Sequence, residues 1–336
     1  MTGHRMPRRR FIGIAAAGAG MALLPISFRR AFAGEAPPGL RIWRGIALGA
    51  DAVLQIHHPD AAAADRLIER SVAEVRRLER VFSLYQEDSA LSTLNRQGFL
   101  ADPPTDLVRL LGESEAFSRL TDGAFDATVQ PLWQLYAGHF GQPDPDPAGP
   151  SAAARAAALA LVGHDGIEID ESRVALRHAG MGLTLNGIAQ GYITDRVAEL
   201  LLSSGIEKAL VDMGETRALG ERPTGEAWRI GLEDPLAPER IAETIEIRNL
   251  AVATSGGYGT LFDAAGRFNH IFDPSSGLTS NRYLAVSVIA KLATTADSLS
   301  TAFSLMPLDR TEALIRRLGI SAHFVLPDGS RLVQSA

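Results

Sequence analysis

Five short stretches of the sequence gather side chains able to do chemistry. Phe82-Ser83-Leu84-Tyr85, followed by Ser89, Ser92 and Asn95, sets a phenol, hydroxyls and an amide at a helix exit, where they can stack on and hydrogen-bond a flat ring. The same residue types also cap helices and make turns. Asp122-Gly123-Ala124-Phe125-Asp126-Ala127-Thr128-Val129 places an acceptor and a donor two residues apart behind a glycine turn, although a plain turn leading into a strand would use the same residues. Thr184-Leu185-Asn186-Gly187-Ile188-Ala189-Gln190-Gly191-Tyr192, with Asp195 beyond, runs small residues into a helix whose first N–H groups face outward, a generic cradle for a pyrophosphate. Only Gly187 and Gly191 are present, so this is not a G-x-G-x-x-G fingerprint. Thr254-Ser255-Gly256-Gly257-Tyr258 is followed by His270-Ile271-Phe272-Asp273-Pro274-Ser275-Ser276-Gly277. The His270 imidazole titrates near neutrality and can accept a proton, whereas Asp-Pro-x-x-Gly is a good turn whatever its function. Asp297 and Thr301 stand four apart, so on a helix their oxygens face the same way and can share a hard cation such as Mg2+. Carbonyls, phosphate oxygens and water would complete the shell, and a capped amphipathic helix would carry the same pair.

Interleaved helices and strands must position these groups. Residues 41–57 alternate with a glycine break, which predicts a hairpin or bulged strand pair. From Ala61 to Phe82, Leu67, Ile68, Val72, Val75, Leu78 and Val81 recur at three- and four-residue steps, the period of an amphipathic helix. A second helix is predicted over about 106–120, and a surface loop over the Gly-, Pro- and Asp-dense stretch 137–150. Further helices are expected at 152–161, 188–203, 295–306 and 309–318. Strands are expected at 166–170, 173–176, 208–213, 228–232, 241–247, 250–254, 284–289, 322–326 and 331–333. The irregular order predicts an α+β fold and argues against a doubly wound parallel sheet.

Charge and composition bound the rest. With 33 basic and 39 acidic residues the 336-residue chain carries −6, so a broad grip on nucleic acid phosphates is not expected. There is no cysteine, which excludes disulfides, thiolate metal sites, a thiol nucleophile and a lipobox anchor. Arg8-Arg9-Arg10-Phe11, an Ala- and Gly-rich apolar run and Ala31-Phe32-Ala33 read as a twin-arginine signal peptide over residues 1–33, leaving 34–336 as one exported, soluble, periplasmic domain. An uncleaved anchor is the alternative. Residues 1–33 hold six arginines and no acidic residue, so 34–336 carry −12, and positive charge for an anionic ligand must come from a cation or helix N-termini.

Taken in order, the five clusters resemble the ApbE family, the FAD:protein FMN transferases, from about Trp43 to the C-terminal strands. The matching pieces are Phe82-Ser-x-Tyr85 with Ser89, Ser92 and Asn95; Asp122-Gly-x-Phe-Asp126-x-Thr128; Gly187-Ile-Ala-x-Gly191-Tyr192 with Asp195; Thr254-Ser-Gly256; His270-Ile-x-Asp273-Pro-x-x-Gly277; and Ala296-Asp297-x-Leu-Ser-Thr301. The resemblance implies a T-fold-like arrangement of largely antiparallel sheets packed with helices, with FAD in a central cleft. It implies that FAD is cleaved at its pyrophosphate and that FMN is esterified through its phosphate to a Thr or Ser hydroxyl of a partner protein, releasing AMP. It places Leu48, Tyr85, Asp126, Ala127, Thr128, Thr184, Gln190 and Ile271 where the family contacts FAD. Mg2+ is expected on Asp297, Thr301 and the Gly187 carbonyl, with help from Ser300, and His270 as the base. Met213-Gly-Glu-Thr-Arg-Ala-Leu-Gly220 and the twin-arginine signal resemble the NosX-like subgroup of nitrous oxide respiration, which implies a NosR-like membrane flavoprotein as acceptor in denitrification.

Three positions depart from the family pattern. Gln190 replaces a frequent Lys or Glu, Thr184 replaces a common acidic residue, and Gly214-Glu215-Thr216 stands where Gly-Gly-Asp is frequent. Two other functions use the same residues: an Mg2+-dependent FAD pyrophosphatase, in which water replaces the protein hydroxyl, and a non-catalytic flavin-binding assembly protein.

Overall fold

The computed structural model describes residues 39–336, and the signal-peptide reading of residues 1–33 lies outside them. The predicted hairpin forms as β1 (Leu40–Ala47) and β2 (Ala50–His57), paired antiparallel around a two-residue turn. Both turn residues have positive φ, Leu48 at 45° and Gly49 at 83°, the backbone that lets a tight hairpin follow the strand twist. Leu48 pays for this left-handed conformation with strain, and its N–H is held by Glu79 Oε1 at 2.8 Å.

Glu79 belongs to α1 (Ala61–Phe82), which starts at an Asp60 cap accepting from the Ala63 N–H and buries Ala64, Leu67, Val75, Leu78, Val81 and Phe82. It is followed by α2 (Ala90–Gln97), β3 (Phe99–Ala101), α3 (Thr105–Leu120), α4 (Gln130–Phe140), α5 (Ala152–Leu159), β4 (Ile167–Ile169) and β5 (Arg173–Leu176). Then come α6 (Ala189–Ser203), β6 (Ala209–Asp212), β7 (Thr216–Leu219), β8 (Trp228–Asp234), β9 (Ala237–Ile247) and β10 (Ala251–Ser255). The chain closes with β11 (Ala285–Ala290), α7 (Ala293–Phe303), α8 (Leu308–Leu318), β12 (Ser321–Val325) and β13 (Arg331–Ser335).

An antiparallel sheet in the order β1-β2-β6-β7-β10-β11-β12-β13 forms the centre, with smaller sheets β3-β5-β4 and β8-β9. This is the α+β architecture expected from the element order, with the largely antiparallel sheets that the family resemblance implies. The main core joins sheet residues such as Leu54, Val211, Val286 and Phe324 to α1, α6 and α7. The β8-β9 ribbon builds a separate core through Trp228, Leu232 and Ile247 against Leu210, Val252 and Ile289. Among the described residues no helix is long and apolar enough to cross a membrane.

Several elements differ from the sequence reading. Residues 130–140, of which 137–140 were expected within a surface loop and the rest were given no element, form α4, with Pro131 in its first turn. This helix buries Leu132 and Tyr136 and packs Trp133 and Phe140 against Phe262, Phe268 and Phe272, so its apolar residues do not fall on one stripe. The short helix α2 lies between the Ser89 cap and Gly98 at φ 76°, and its eight residues are too few for periodicity to stand out. Strands β3 and β7, of three and four residues, were likewise not anticipated.

Candidate functional site

A cavity of about 550 Å³ opens between the β1–β2 turn, the segment before α6, the end of β10, the 256–274 segment and α7. That volume lies in the range of small-molecule and cofactor sites. Tyr85 stands at its mouth, 71% exposed, and Leu48, Phe125, Trp133, Ile271, Phe272 and Pro274 supply apolar wall. The polar lining includes Asp126, Thr184, Gln190, Glu215, Ser255, Tyr258, His270, Asp297 and Thr301. Among the described residues no lysine or arginine lines it.

Local contacts explain why the sequence clusters meet here. Asn95 holds Leu183 from both sides, donating to its carbonyl at 2.8 Å and accepting from its N–H at 2.7 Å, which fixes the chain leading to Thr184 and Gly187. Ser89 and Ser92 donate to the Ser83 carbonyl, and Ser89 also caps α2, so these hydroxyls build the turn beneath Tyr85. Gly187 lies against Thr301, where a Cβ would come 2.8 Å from Oγ1. At Gly191 a Cβ would come 2.4 Å from the Ala293 carbonyl oxygen, so the absent side chain is what lets α6 touch the start of α7. Asp195 then caps α7: its carboxylate accepts from the N–H groups of Ala293 and Thr294, both at 2.9 Å, and from the Thr294 hydroxyl at 2.7 Å. Arg217 pairs with the same carboxylate at 2.6 Å. Asp195 is therefore a structural member of the third cluster that orients the helix bearing Asp297 and Thr301.

His270 sits on a short ladder in which its backbone N–H donates to the Thr260 carbonyl at 3.2 Å. Its ring Nδ1 lies 3.3 Å from the same oxygen. A carbonyl only accepts, so this contact requires the Nδ1–H tautomer and leaves the Nε2 lone pair free. Desolvation holds the imidazole below its ordinary pKa, and the Thr260 hydrogen bond opposes this; the net effect favours the neutral ring that can accept a proton.

Asp297 is only 3% exposed, yet its carboxylate accepts one backbone hydrogen bond, from Gly191 at 3.0 Å. Burial, with Asp195 adding repulsion, pushes it up to about 7. Glu215 lines the same cavity and is pushed well above the ordinary carboxylate range, first by burial and then by Asp297. Two buried carboxylates held above their ordinary range, in a cavity that no lysine or arginine of the described residues lines, form a donor set that fits a hard divalent cation. Thr301 and the Gly187 backbone supply neutral oxygens beside it. Among the described residues no three His, Asp or Glu side chains converge as a metal site, so hydroxyl and carbonyl oxygens would have to contribute.

The structure brings together Leu48, Tyr85, Asp126, Ala127, Thr184, Gly187, Gln190, His270, Ile271, Asp297 and Thr301 around one cavity. Thr128 and Ser300 do not line it. Thr128 is fully buried, donating to Asp126 Oδ1 at 2.6 Å and accepting from the Gly163 N–H at 2.7 Å, so it shapes the Asp126 turn. Ser300 donates to the Asp297 carbonyl and lies 2.7 Å from Ser255 Oγ, which is itself 3.2 Å from Thr301 Oγ1. Glu215 was not singled out as a site residue from sequence. Its signal was the unusual Gly214-Glu215-Thr216: Gly214 at φ 100° leaves room for Gln190, and the turn brings the Glu215 carboxyl to the cavity. Tyr258 stood in the fourth cluster without a role of its own, and Trp133 was missed because it does not stand out from a core aromatic by residue type.

The family described as ApbE family matches residues 48–324. The chain is 31% identical over 288 residues to the FAD:protein FMN transferase of Treponema pallidum, covering 80% of this chain and 79% of that protein. It is 35% identical over 250 residues to the FAD:protein FMN transferase of Vibrio cholerae, covering 71% and 74%. Among solved structures, the flavin transferase ApbE from Vibrio cholerae superposes with a TM-score of 0.76 at 27% identity, covering 89% of this chain and 98% of that one. The apo Pseudomonas stutzeri flavinyl transferase ApbE gives 0.74 at 30% identity, covering 88% and 95%.

Proposed function

The chain belongs to the ApbE family and is a FAD:protein FMN transferase, and from that premise we propose how its cavity performs the reaction. The isoalloxazine end of FAD rests against the apolar wall near Leu48 and Tyr85, with Asp126, Ala127, Thr184, Gln190 and Ile271 contacting the flavin half. The pyrophosphate faces Asp297, Thr301 and the Gly187 carbonyl, which would hold Mg2+ together with Glu215. Held by these residues, Mg2+ would neutralise diphosphate charge and make the attacked phosphorus more electrophilic.

His270 Nε2 takes the proton of a Thr or Ser hydroxyl on the acceptor protein. The acceptor oxygen forms a bond to the FMN-side phosphorus as the bond from that phosphorus to the bridging oxygen breaks. AMP leaves with the electron pair, and the proton on His270 passes to solvent. Asp195 and Arg217 keep α7 in register throughout, and Thr128 keeps the Asp126 turn in place.

The observation that carries this reading is the convergence of a neutral, Nε2-free imidazole and an underpaired buried carboxylate in one cavity that no lysine or arginine of the described residues lines. Arg8-Arg9-Arg10-Phe11 supports twin-arginine export to the periplasm, and Met213–Gly220 supports a NosX-like enzyme serving a NosR-like acceptor. Incubation with FAD, Mg2+ and a protein bearing a Thr or Ser flavinylation motif should give FMN attached to the acceptor and one AMP per FMN. Free FMN with unmodified acceptor would favour the pyrophosphatase, and bound but intact FAD would favour a binding protein.

A further inference from the structure

We infer that Asn269 is a positioning residue that holds His270 in line with the acceptor hydroxyl, and that Gly257 is the complement this arrangement requires. The inference rests on the reading of His270 as the base.

Asn269 is 1% exposed. Its amide Nδ2 donates to the Ser280 carbonyl at 2.8 Å and to Asn281 Oδ1 at 3.0 Å, while its Oδ1 accepts from the Ile271 N–H at 2.9 Å. The side chain thus clamps the backbone immediately after His270 and ties it to the 280–281 segment. That segment is anchored in turn, because the Ser280 N–H donates to the Ile271 carbonyl at 2.8 Å, the Ser280 hydroxyl to the Ser304 carbonyl, and Asn281 Nδ2 to the Arg267 carbonyl. On its other side, the segment carrying His270 meets residues 260–262 through an isolated bridge between Leu261 and Asn269. His270 is therefore gripped between the bridge of Leu261 to Asn269 and that of Phe272 to Thr279, and Asn269 adjoins it and bonds across to the 280–281 segment.

The glycines before the histidine fit this clamp. A Cβ on Gly257 would lie 2.7 Å from Asn269 Nδ2 and 2.9 Å from its Cγ, closer than real contacts allow. A Cβ on Gly259 would lie 3.2 Å from His270 Cε1, so the imidazole packs directly over that backbone. The run Gly256-Gly257-Tyr258-Gly259 thus makes room for a residue pair more than ten positions later, which explains why the two halves of the fourth cluster occur together. Because the clamp is uncharged and makes three hydrogen bonds, removing it lets the imidazole move without altering the cavity's charge.

The test uses Asn269→Ala, Gly257→Ala and His270→Ala, alone and with Asn269→Ala combined with His270→Ala. FAD affinity is read by fluorescence and FMN transfer by acceptor mass. Asn269→Ala should keep FAD affinity within about twofold and lower turnover about 10- to 100-fold, the scale of a misplaced reacting group. Gly257→Ala should lower turnover in the same direction by displacing Asn269. In the His270→Ala background, Asn269→Ala should cause no further loss, because it acts through a ring that is no longer there. Equal further loss in both backgrounds, or wild-type turnover of Asn269→Ala beside an impaired His270→Ala, would overturn the positioning role. Full turnover of His270→Ala would instead remove the base assignment on which it rests.

Discussion

Two buried aspartates, Asp195 and Asp297, lie at opposite ends of the same junction between α6 and α7, exposed by 4% and 3%. Asp195 is surrounded by an arginine, two backbone N–H groups and a hydroxyl. Among the described residues Asp297 receives a single backbone N–H, and it faces the cavity. The amino acid and the burial are the same, yet one carboxylate is completed by the protein and the other is left for a ligand. A buried charge persists where it is paired, so the underpaired member marks the chemistry and the paired member marks the scaffold that aims it.

The comparison breaks most visibly if the paired carboxylate is removed. Asp195→Ala leaves Arg217 buried without its partner and uncaps α7, and should cost about 3–5 kcal/mol of stability in urea unfolding. A change within 0.5 kcal/mol would mean that the pair does not hold the junction. His270→Ala touches the opposite category: turnover should fall about 10²- to 10⁴-fold, the usual range for a general base, while unfolding and FAD binding stay close to wild type. Gly191→Ala should be smaller, about 1–3 kcal/mol, because its Cβ must push aside the backbone at Ala293. The smallest effect concerns pH. Protons compete with a cation for Asp297 as pH falls through about 7, so the rise in Tm on adding Mg2+ should be greater at pH 8 than at pH 6. A larger rise at pH 6 would show that a carboxylate with raised pKa is not the group that Mg2+ meets.

Much of this organisation was legible in the sequence, for identifiable reasons. Long helices such as α1 declare themselves through six apolar residues at helical spacing, and the β1–β2 hairpin through alternation around Leu48-Gly49. Asp297 and Thr301 were legible because four-residue spacing on one helix suffices to bring two oxygens together. Helix α4 was hidden because Leu132, Trp133, Leu135, Tyr136 and Phe140 all pack into the cluster of Phe262, Phe268 and Phe272, which leaves no clean polar stripe for periodicity to reveal. Glu215 was visible only as an odd residue, since its approach to Asp297 depends on the pairing of β6 with β7 and on the left-handed Gly214. Asp195 and Thr128 show the converse limit: both belong to motifs that carry the family resemblance, yet their hydrogen bonds are spent inside the protein.

The account turns on Asp297 being the underpaired carboxylate that draws a cation to the FAD diphosphate. Its most direct test is calorimetric titration of Mg2+ into the protein with FAD present, comparing wild type with Asp297→Asn and following FMN attachment to the acceptor in the same samples. The account predicts that the variant stays folded, loses the Mg2+ binding heat and attaches no FMN. Wild-type Mg2+ affinity together with wild-type FMN transfer in Asp297→Asn would contradict it.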